Sequence, residues 1–501
     1  MWDWVGNTGN WLADKYNDVT QGVSNWAGGV RDSANEIWDV VESSNFSAKD
    51  GIWSLQTDLD EIQDVAGLEG LSLDREASDN EVTMEVNRNT GVLTLKCANL
   101  AINALAFDGL TAQSVTLSGV HIEVENASVN AGFLGTLSAQ KGGGSNAPQN
   151  VTLRAASIVG NGIKVADPSI NGGQPVTVDS LRLDEFMLKA NGSKDLFEDA
   201  PNQASFSVGN AVLQGVKTQQ GGNNLSGDIA LAGTSGAFDS NQGTASVGVE
   251  DIRASQVTAG QNTVEQSHFK GVQANIAPSE SGHNAIVSAN HADVKGLDTS
   301  TVDASSLSGS GISASYNTNT QALSATAGGV EANDLTGMGG SIDSVNASNL
   351  LVSSDLDDQE HSASVGNLSA NGLQHNDSSI GQVSLADLSG SSSSTGQSAS
   401  LGSAQLSQLN AYGHTADNLS VGGAAVSNVG NASSLRLDSG SVNGYNSQFG
   451  SAESASIANV DFRHGNDGSS GTIGNLSANN VQSMGTSVGS KALTLTQALV
   501  I

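Results

Sequence analysis

The sequence predicts a mainly β fold, an elongated stack of β-repeats preceded by a short amphipathic α-helical segment. Three observations carry that reading. From about residue 80 onward Val, Leu and Ile alternate with polar residues, the two-residue period of a strand with one apolar face. A short apolar motif then returns about every 19 residues between positions 302 and 481, a period of repeat architectures. All six tryptophans, finally, lie within the first 53 residues, so the head is a different material from the body.

The head spans residues 1–66. Leu12, Tyr16, Val19, Val23, Trp26, Val30, Ala34, Ile37 and Val41 recur at spacings of three and four, which puts them on one face of a helix. Gly28 and Gly29 interrupt the run, each costing about 1 kcal/mol relative to Ala, so a kink is expected there. A second amphipathic pattern follows at Leu55, Leu59, Ile62 and Val65. The stripe must be covered, and capping of the first β-repeats or docking on a protein partner are the two readings, with capping favoured. Membrane attachment is disfavoured, because residues 12–43 hold only Lys15 and Arg31 against six acids.

The body spans residues 67–500. It opens with a hairpin pattern, Val82, Met84 and Val86 turning through 87–91 into Leu93, Leu95 and Cys97. A three-residue step then recurs: Leu95 and Cys97 precede Leu100 and Ile102, Val115 and Leu117 precede Val120 and Ile122, and Leu181 and Leu183 precede Phe186 and Leu188. In a flat strand such a step would swap faces, so it marks a bulge or a corner. Later the motif condenses to apolar-x-small-x-x-apolar, as in Val330…Leu335, Val345…Leu350, Leu368…Leu373 and Leu476…Val481. Leu368, Ala370 and Leu373 are expected to be buried and equivalent to Leu476, Ala478 and Val481. Stretches 355–360, 391–396 and 464–468 read as polar turns.

Two architectures accommodate this period. A parallel β-solenoid, one rung per unit, is favoured, since small residues suit a narrow interior. The alternative is a long antiparallel β-meander, hinted at by the steps 330 to 345 to 368 to 383, which pair into hairpins of about 38 residues.

Composition narrows the function. Nineteen Lys and Arg against 51 Asp and Glu give a net charge of −32, and no Lys or Arg lies between Lys295 and Arg436. Nucleic acid, whose phosphates call for a basic stripe, is therefore not an expected partner. The single Cys97 forms no intrachain disulfide and reads as a small core residue. The first residues have neither a basic region nor an apolar one, so no Sec-type signal is expected, and no stretch has the ~20 apolar residues of a membrane span.

The search for chemistry predicts no enzyme, no catalytic or metal residues and no cofactor. His121, His268, His283, His291, His361, His375, His414 and His464 are scattered, and none forms a zinc motif. Gly160/Gly162 and Gly309/Gly311 lack the third glycine of a dinucleotide loop. Asp355, Asp357, Asp358 and Glu360 offer oxygen ligands for Ca²⁺, but a solvated hairpin tip is the favoured reading. Serines read as turn formers.

Two resemblances follow from these segments. The units at 366–373 and 474–481, Gly-Asn-Leu-Ser-Ala-Asn-Gly-Leu and Gly-Asn-Leu-Ser-Ala-Asn-Asn-Val, resemble filamentous-haemagglutinin-type repeats of exported bacterial β-solenoids. The head segments 4–14, 23–32 and 37–41 resemble the Trp/Gly/Asp-rich stretches of proteins associated with bacterial extracellular contractile injection systems. That second resemblance implies release without a Sec signal, so the chain is expected to be cytoplasmic before release and then extracellular or inside a secreted particle. The His-Glu-x-x-His core of that family is absent, and no catalytic residue carries over. The function expected is a structural or interaction protein acting through the head or the repeat faces, as a component or cargo of an injection-type assembly. An adhesin or receptor-binding fibre is the alternative, and a carbohydrate-active solenoid enzyme the second.

Overall fold

The computed structural model describes residues 45–58, 72–73, 79–87, 90, 92–107, 110–125, 149–166, 174–193, 203–220, 223–279, 282–355, 357, 359–466, 468–483, 486–489, 491–493 and 499–500. The predicted helical stripe from Leu12 to Val41 lies outside these residues, as do Leu59, Ile62 and Val65. The described part is strand and turn, so the mainly β prediction holds. Asn45–Lys49 (β1) and Ile52–Asp58 (β2), placed in the helical head, form a hairpin with Leu55 in its second strand. The local reason is Asp50-Gly51, both at positive φ (53° and 80°), a two-residue turn that closes a hairpin.

The chain divides into two compact units, Met1–Gly260 with Val272–Pro278, and Gln261–Gly271 with Ser279–Ile501. In the first, β3 (Ser72–Leu73), β4 (Asp79–Asn87), β5 (Val92–Phe107), β6 (Leu110–Glu125), β7 (Gln149–Val165), β8 (Val176–Ser193), β9 (Gln203–Gln220), β10 (Asn223–Asp239) and β11 (Thr244–Ala259) follow. From β4 to β11 each strand pairs with the next, always antiparallel. The strand β12 (Asn262–Ser279) is divided between the units.

The second unit continues with β13 (Gly282–Asp298), β14 (Val302–Asn317), β15 (Ala322–Gly337), β16 (Gly340–Asp355), β17 (Glu360–His375), β18 (Ser378–Ser393), β19 (Gly396–Ala411), β20 (His414–Val429), β21 (Ala432–Ser447), β22 (Gly450–Gly465) and β23 (Gly468–Asn479). The short β24 (Val481–Ser483), β25 (Thr486–Val488), β26 (Lys491–Leu493) and β27 (Leu499–Val500) end it. Every pairing from β13 to β23 is antiparallel and joins sequence neighbours. The favoured parallel solenoid is therefore corrected to the meander. Between β14 and β23 the strands are joined by turns of two to four residues, and such turns can only reverse the chain, whereas a parallel neighbour needs a crossover of a dozen or more.

The three-residue step is a paired corner. In β16 and β17 Ser348 faces Asn367 and Leu350 faces Val365, while Asn349 and Gly366 between them are passed over together. Both strands bend at one point, so no residue is inserted and the register is kept. Each long strand carries one residue at positive φ at such a corner, and the two lines of corners alternate. Gly311, Asn349, Asp387, Gly423 and Asn459 occupy one line on β14, β16, β18, β20 and β22. Asp334, Gly372, Gln408 and Gly444 occupy the other on β15, β17, β19 and β21. The corner keeps apolar side chains on one face, which the first unit shows directly. Ala112 and Val115, Val178 and Leu181, and Leu213 and Val216 are each three apart, yet all pack in one cluster with Ile163.

Within each unit the long strands pack chiefly on their ladder partners. The core is thin: among the described residues no large side chain falls below 2% exposure, and most buried apolar residues of the second unit are alanines (Ala304, Ala332, Ala370, Ala404 and Ala416). The expected equivalence holds in register, because Leu368 connects through Leu385, Ala404, Val421, Gly440 and Ile457 to Leu476. Its burial is corrected. Ala370 is buried, Leu368 and Leu373 are half-buried and Leu476 is 42% exposed, since a side chain is covered chiefly by its lateral neighbours.

Candidate functional site

Of the residues weighed for chemistry, the structure brings together only members of the 355–360 stretch, among the described residues. The glycine pairs Gly160/Gly162 and Gly309/Gly311 lie inside β7 and β14, with Gly162 and Gly311 at corners at φ 58° and 57°. Asp355 and Glu360 are paired strand ends, and the Asp357 N–H donates to the Asp355 carboxylate at 3.1 Å, which is an Asx turn closing a hairpin tip. His361 meets Ser354 at 2.8 Å, His464 meets Ser469 at 2.7 Å, and His414 meets the Tyr445 hydroxyl at 2.7 Å with the rings stacked. His291 lies 2.9 Å from Asp293 on its own strand. Among the described residues no three His, Cys, Asp or Glu side chains come together as a metal-binding group. Cys97 is half-buried, its thiol directed at the Asn99 carbonyl at 3.3 Å.

Instead the sheet carries repeated surfaces. One is a hydroxyl ladder: Ser315, Ser324, Ser353, Ser362, Ser391, Ser398, Ser427 and Ser434 stand opposite one another on eight successive strands, β14 to β21. Ser353 bonds Ser362 at 2.6 Å, and Ser391–Ser398 and Ser427–Ser434 do so at 2.7 Å. The serines at 391–393, read from the sequence as a turn, thus belong to a strand. Two other columns pair asparagine with serine, Asn333 donating to Ser306 at 3.1 Å and Asn371 to Ser344 at 3.0 Å in one, Asn367 to Ser348 at 3.4 Å in the other.

The other surfaces are apolar. Val352, Ala363, Gly390, Ala399, Val426, Leu435 and Phe462 form one column, with Val352 at 49% and Val426 at 47% exposure. A groove of 490 Å³ runs along the edge where β15 turns into β16 and β17 into β18. Leu335, Ile342, Leu373, Ile380 and Leu409 wall it, and Gly337 and Gly340 leave its floor without side chains. At Gly340 a Cβ would sit 2.7 Å from the Gln374 carbonyl oxygen, so glycine is what lets the strands close up there.

The turns differ between the two edges. On the groove's edge Met338 is 82% exposed, Tyr412 92% and Phe449 57%. On the opposite edge the described turn residues are glycine or polar, such as Asn319, Asp357, Thr395 and Asn431. Three ion pairs join an Arg and an Asp two residues apart on one strand, Arg182–Asp184 and Arg436–Asp438 both at 2.9 Å and Arg463–Asp461 at 3.0 Å. The Arg463 guanidinium, by hydrogen bonding, holds the Asp461 carboxyl below its ordinary range. Sequence reading missed both the serine ladder and the apolar turn tips. The ladder's signal was there in the intervals of 38 between Ser315, Ser353 and Ser391, and between Ser324 and Ser362. No protein-family model and no curated protein matches the chain.

Proposed function

We propose that the protein is a non-catalytic structural and interaction protein, a β-repeat scaffold carried or released as a component or cargo of a bacterial injection-type assembly. The observation that supports it best is the repetition of chemistry by register. The same side chain recurs on strand after strand, as in the serine column, which displays one surface many times over. A scaffold uses such a surface, whereas catalysis asks for unlike groups held within a few ångströms of one point. The assembly context rests on the resemblance of the head.

The exposed turn tips Met338, Tyr412 and Phe449 favour a second reading, an adhesin whose target is met by the turns. Electron microscopy of particles purified from the producing cells, with the chain labelled at its C-terminus, separates the two. Label inside or along a particle supports the scaffold, and label projecting from a cell surface supports the adhesin. Turnover of any member of a glycan panel by the purified chain would overturn both.

A further inference from the structure

We propose that the turn edge of the second unit, on the β15–β16 to β21–β22 side, is a docking surface for a basic amphipathic helix of a partner protein. The inference deepens the scaffold reading by naming the chemistry of what the scaffold holds.

Three observations converge on this edge. Three of its four turns from β15–β16 to β21–β22 present large apolar side chains to solvent where turn chemistry asks for Asn or Gly, and the fourth, Asn376-Asp377, is polar. Met338 and Tyr412 stand at φ 50° and 52°, left-handed positions that cost a side chain with a Cβ about 1–2 kcal/mol. Such residues, 82% and 92% exposed, contribute nothing to the sheet. The apolar groove includes Met338 in its lining and reaches Leu409 and Ala411, next to Tyr412, while Phe449 lies beyond it. The third observation is charge. Between Lys295 and Arg436 the sequence has twelve carboxylates and no Lys or Arg. Asp303, Asp334, Asp343 and Asp377 are exposed and lie within one or two residues of the groove's lining. With no Lys or Arg between Lys295 and Arg436 to offset them, these carboxylates make the edge attract a cation and repel an anion. An apolar seat under a negative field fits apolar and basic residues on one segment.

The dimensions suit a helix. The turns bearing Met338 and Phe449 are six strands apart, about 29 Å at ~4.8 Å per strand. A helix of 18 residues is about 27 Å long. A second copy of this chain, at net charge −32, would bring like charge to the same edge.

The test uses the full chain and fluorescence anisotropy of a labelled 18-residue helical peptide of leucine and lysine, with a leucine–glutamate peptide as counterpart. The leucine–lysine peptide should bind and weaken about tenfold or more between 50 and 300 mM NaCl, while the counterpart does not bind. Replacing Met338, Tyr412 and Phe449 together by Ser should weaken binding at least about fivefold at unchanged net charge. These side chains are exposed, and an unchanged far-UV spectrum confirms that the variant folds. Equal binding by the triple variant would mean adsorption by net charge alone and overturn the proposal. So would equal binding of the two peptides, sedimentation with zwitterionic vesicles in place of the peptide, or self-association that the triple variant abolishes. Failure of the scaffold reading is read separately, by label position in the microscopy or by glycan turnover, neither of which depends on the peptide.

Discussion

A corner in this sheet is a contract between two residues on neighbouring strands. Gly372 stands at φ 64°, and a Cβ there would lie 2.0 Å from an Asp343 carboxylate oxygen. The same fit joins Gly215 to Asp179, Gly423 to Asp438 and Gly444 to Asp417. Gly372→Ala should therefore cost about 1–2 kcal/mol through left-handed backbone and displacement of Asp343. Gly465→Ala, with nothing within 4 Å of the added Cβ, should stay within about 0.5 kcal/mol in a urea titration. Gln408 holds a left-handed corner with a side chain unsuited to it, at φ 56°. Gln408→Gly is expected to raise stability by about 0.5–1 kcal/mol, the relief of backbone strain outweighing glycine's extra unfolded freedom. A loss on this substitution would mean that the Gln408 side chain matters more than its backbone. The three-residue step was legible in the sequence. Which residue would be left-handed was not, because Ala104, Glu185, Gln256 and Gln408 take that conformation without being glycine or asparagine.

Strands here are held laterally, and this sets what a substitution within one can do. Cross-strand pairs contribute about 0.2–1 kcal/mol each, and among the described residues no large side chain is fully buried to add to them. Leu368→Asp, at a half-buried site, should destabilise by about 1–3 kcal/mol, and Ala370→Asp, at 7% exposure, by more. Ser392→Ala should be nearly silent. Equal melting temperatures for Ala370→Asp and Ser392→Ala would refute the register. A double-mutant cycle on Ser391 and Ser398, 2.7 Å apart, should return a coupling of about 0.5 kcal/mol. Strand positions were legible from alternation, but pairing direction was not, since alternation is the same for parallel and antiparallel neighbours. The deciding information lay in the turns. Met338-Gly339 and Tyr412-Gly413 are two-residue turns that carry no Asn-Gly signal, so the sequence alone does not mark them as hairpin turns. The steps of 15 and 23 came from a motif read alternately up one strand and down the next.

At the scale of the whole molecule the repeat is a pair of strands. From β18 to β22 each strand has 16 residues and is followed by a two-residue turn, so a pair occupies 36 residues. Removing 396–431 deletes β19 and β20 with their turns and joins β18 to β21, which keeps both the antiparallel order and the alternation of corners. That deletion should leave a folded chain with an unchanged β-type far-UV spectrum. Removing 396–413 deletes β19 alone and sets β18 beside β20, two strands of the same direction with their left-handed corners on one line. This shorter deletion should fail to fold or aggregate, and equal solubility of the two would contradict the pairing. The fold class could be read from the sequence, and the candidate surface could not, because exposure of Met338 and Tyr412 depends on where the chain reverses.

Because each long strand leans chiefly on its immediate partners, resistance to opening is a matter of position along the ladder. An outermost strand opens by losing one set of bonds, and an inner strand by losing two. Amide protons should therefore exchange with deuterium fastest in the last strands of the second unit and progressively more slowly toward β18. Unfolding within the unit would proceed as an unzipping, one strand at a time, with no single cluster whose loss brings down the rest.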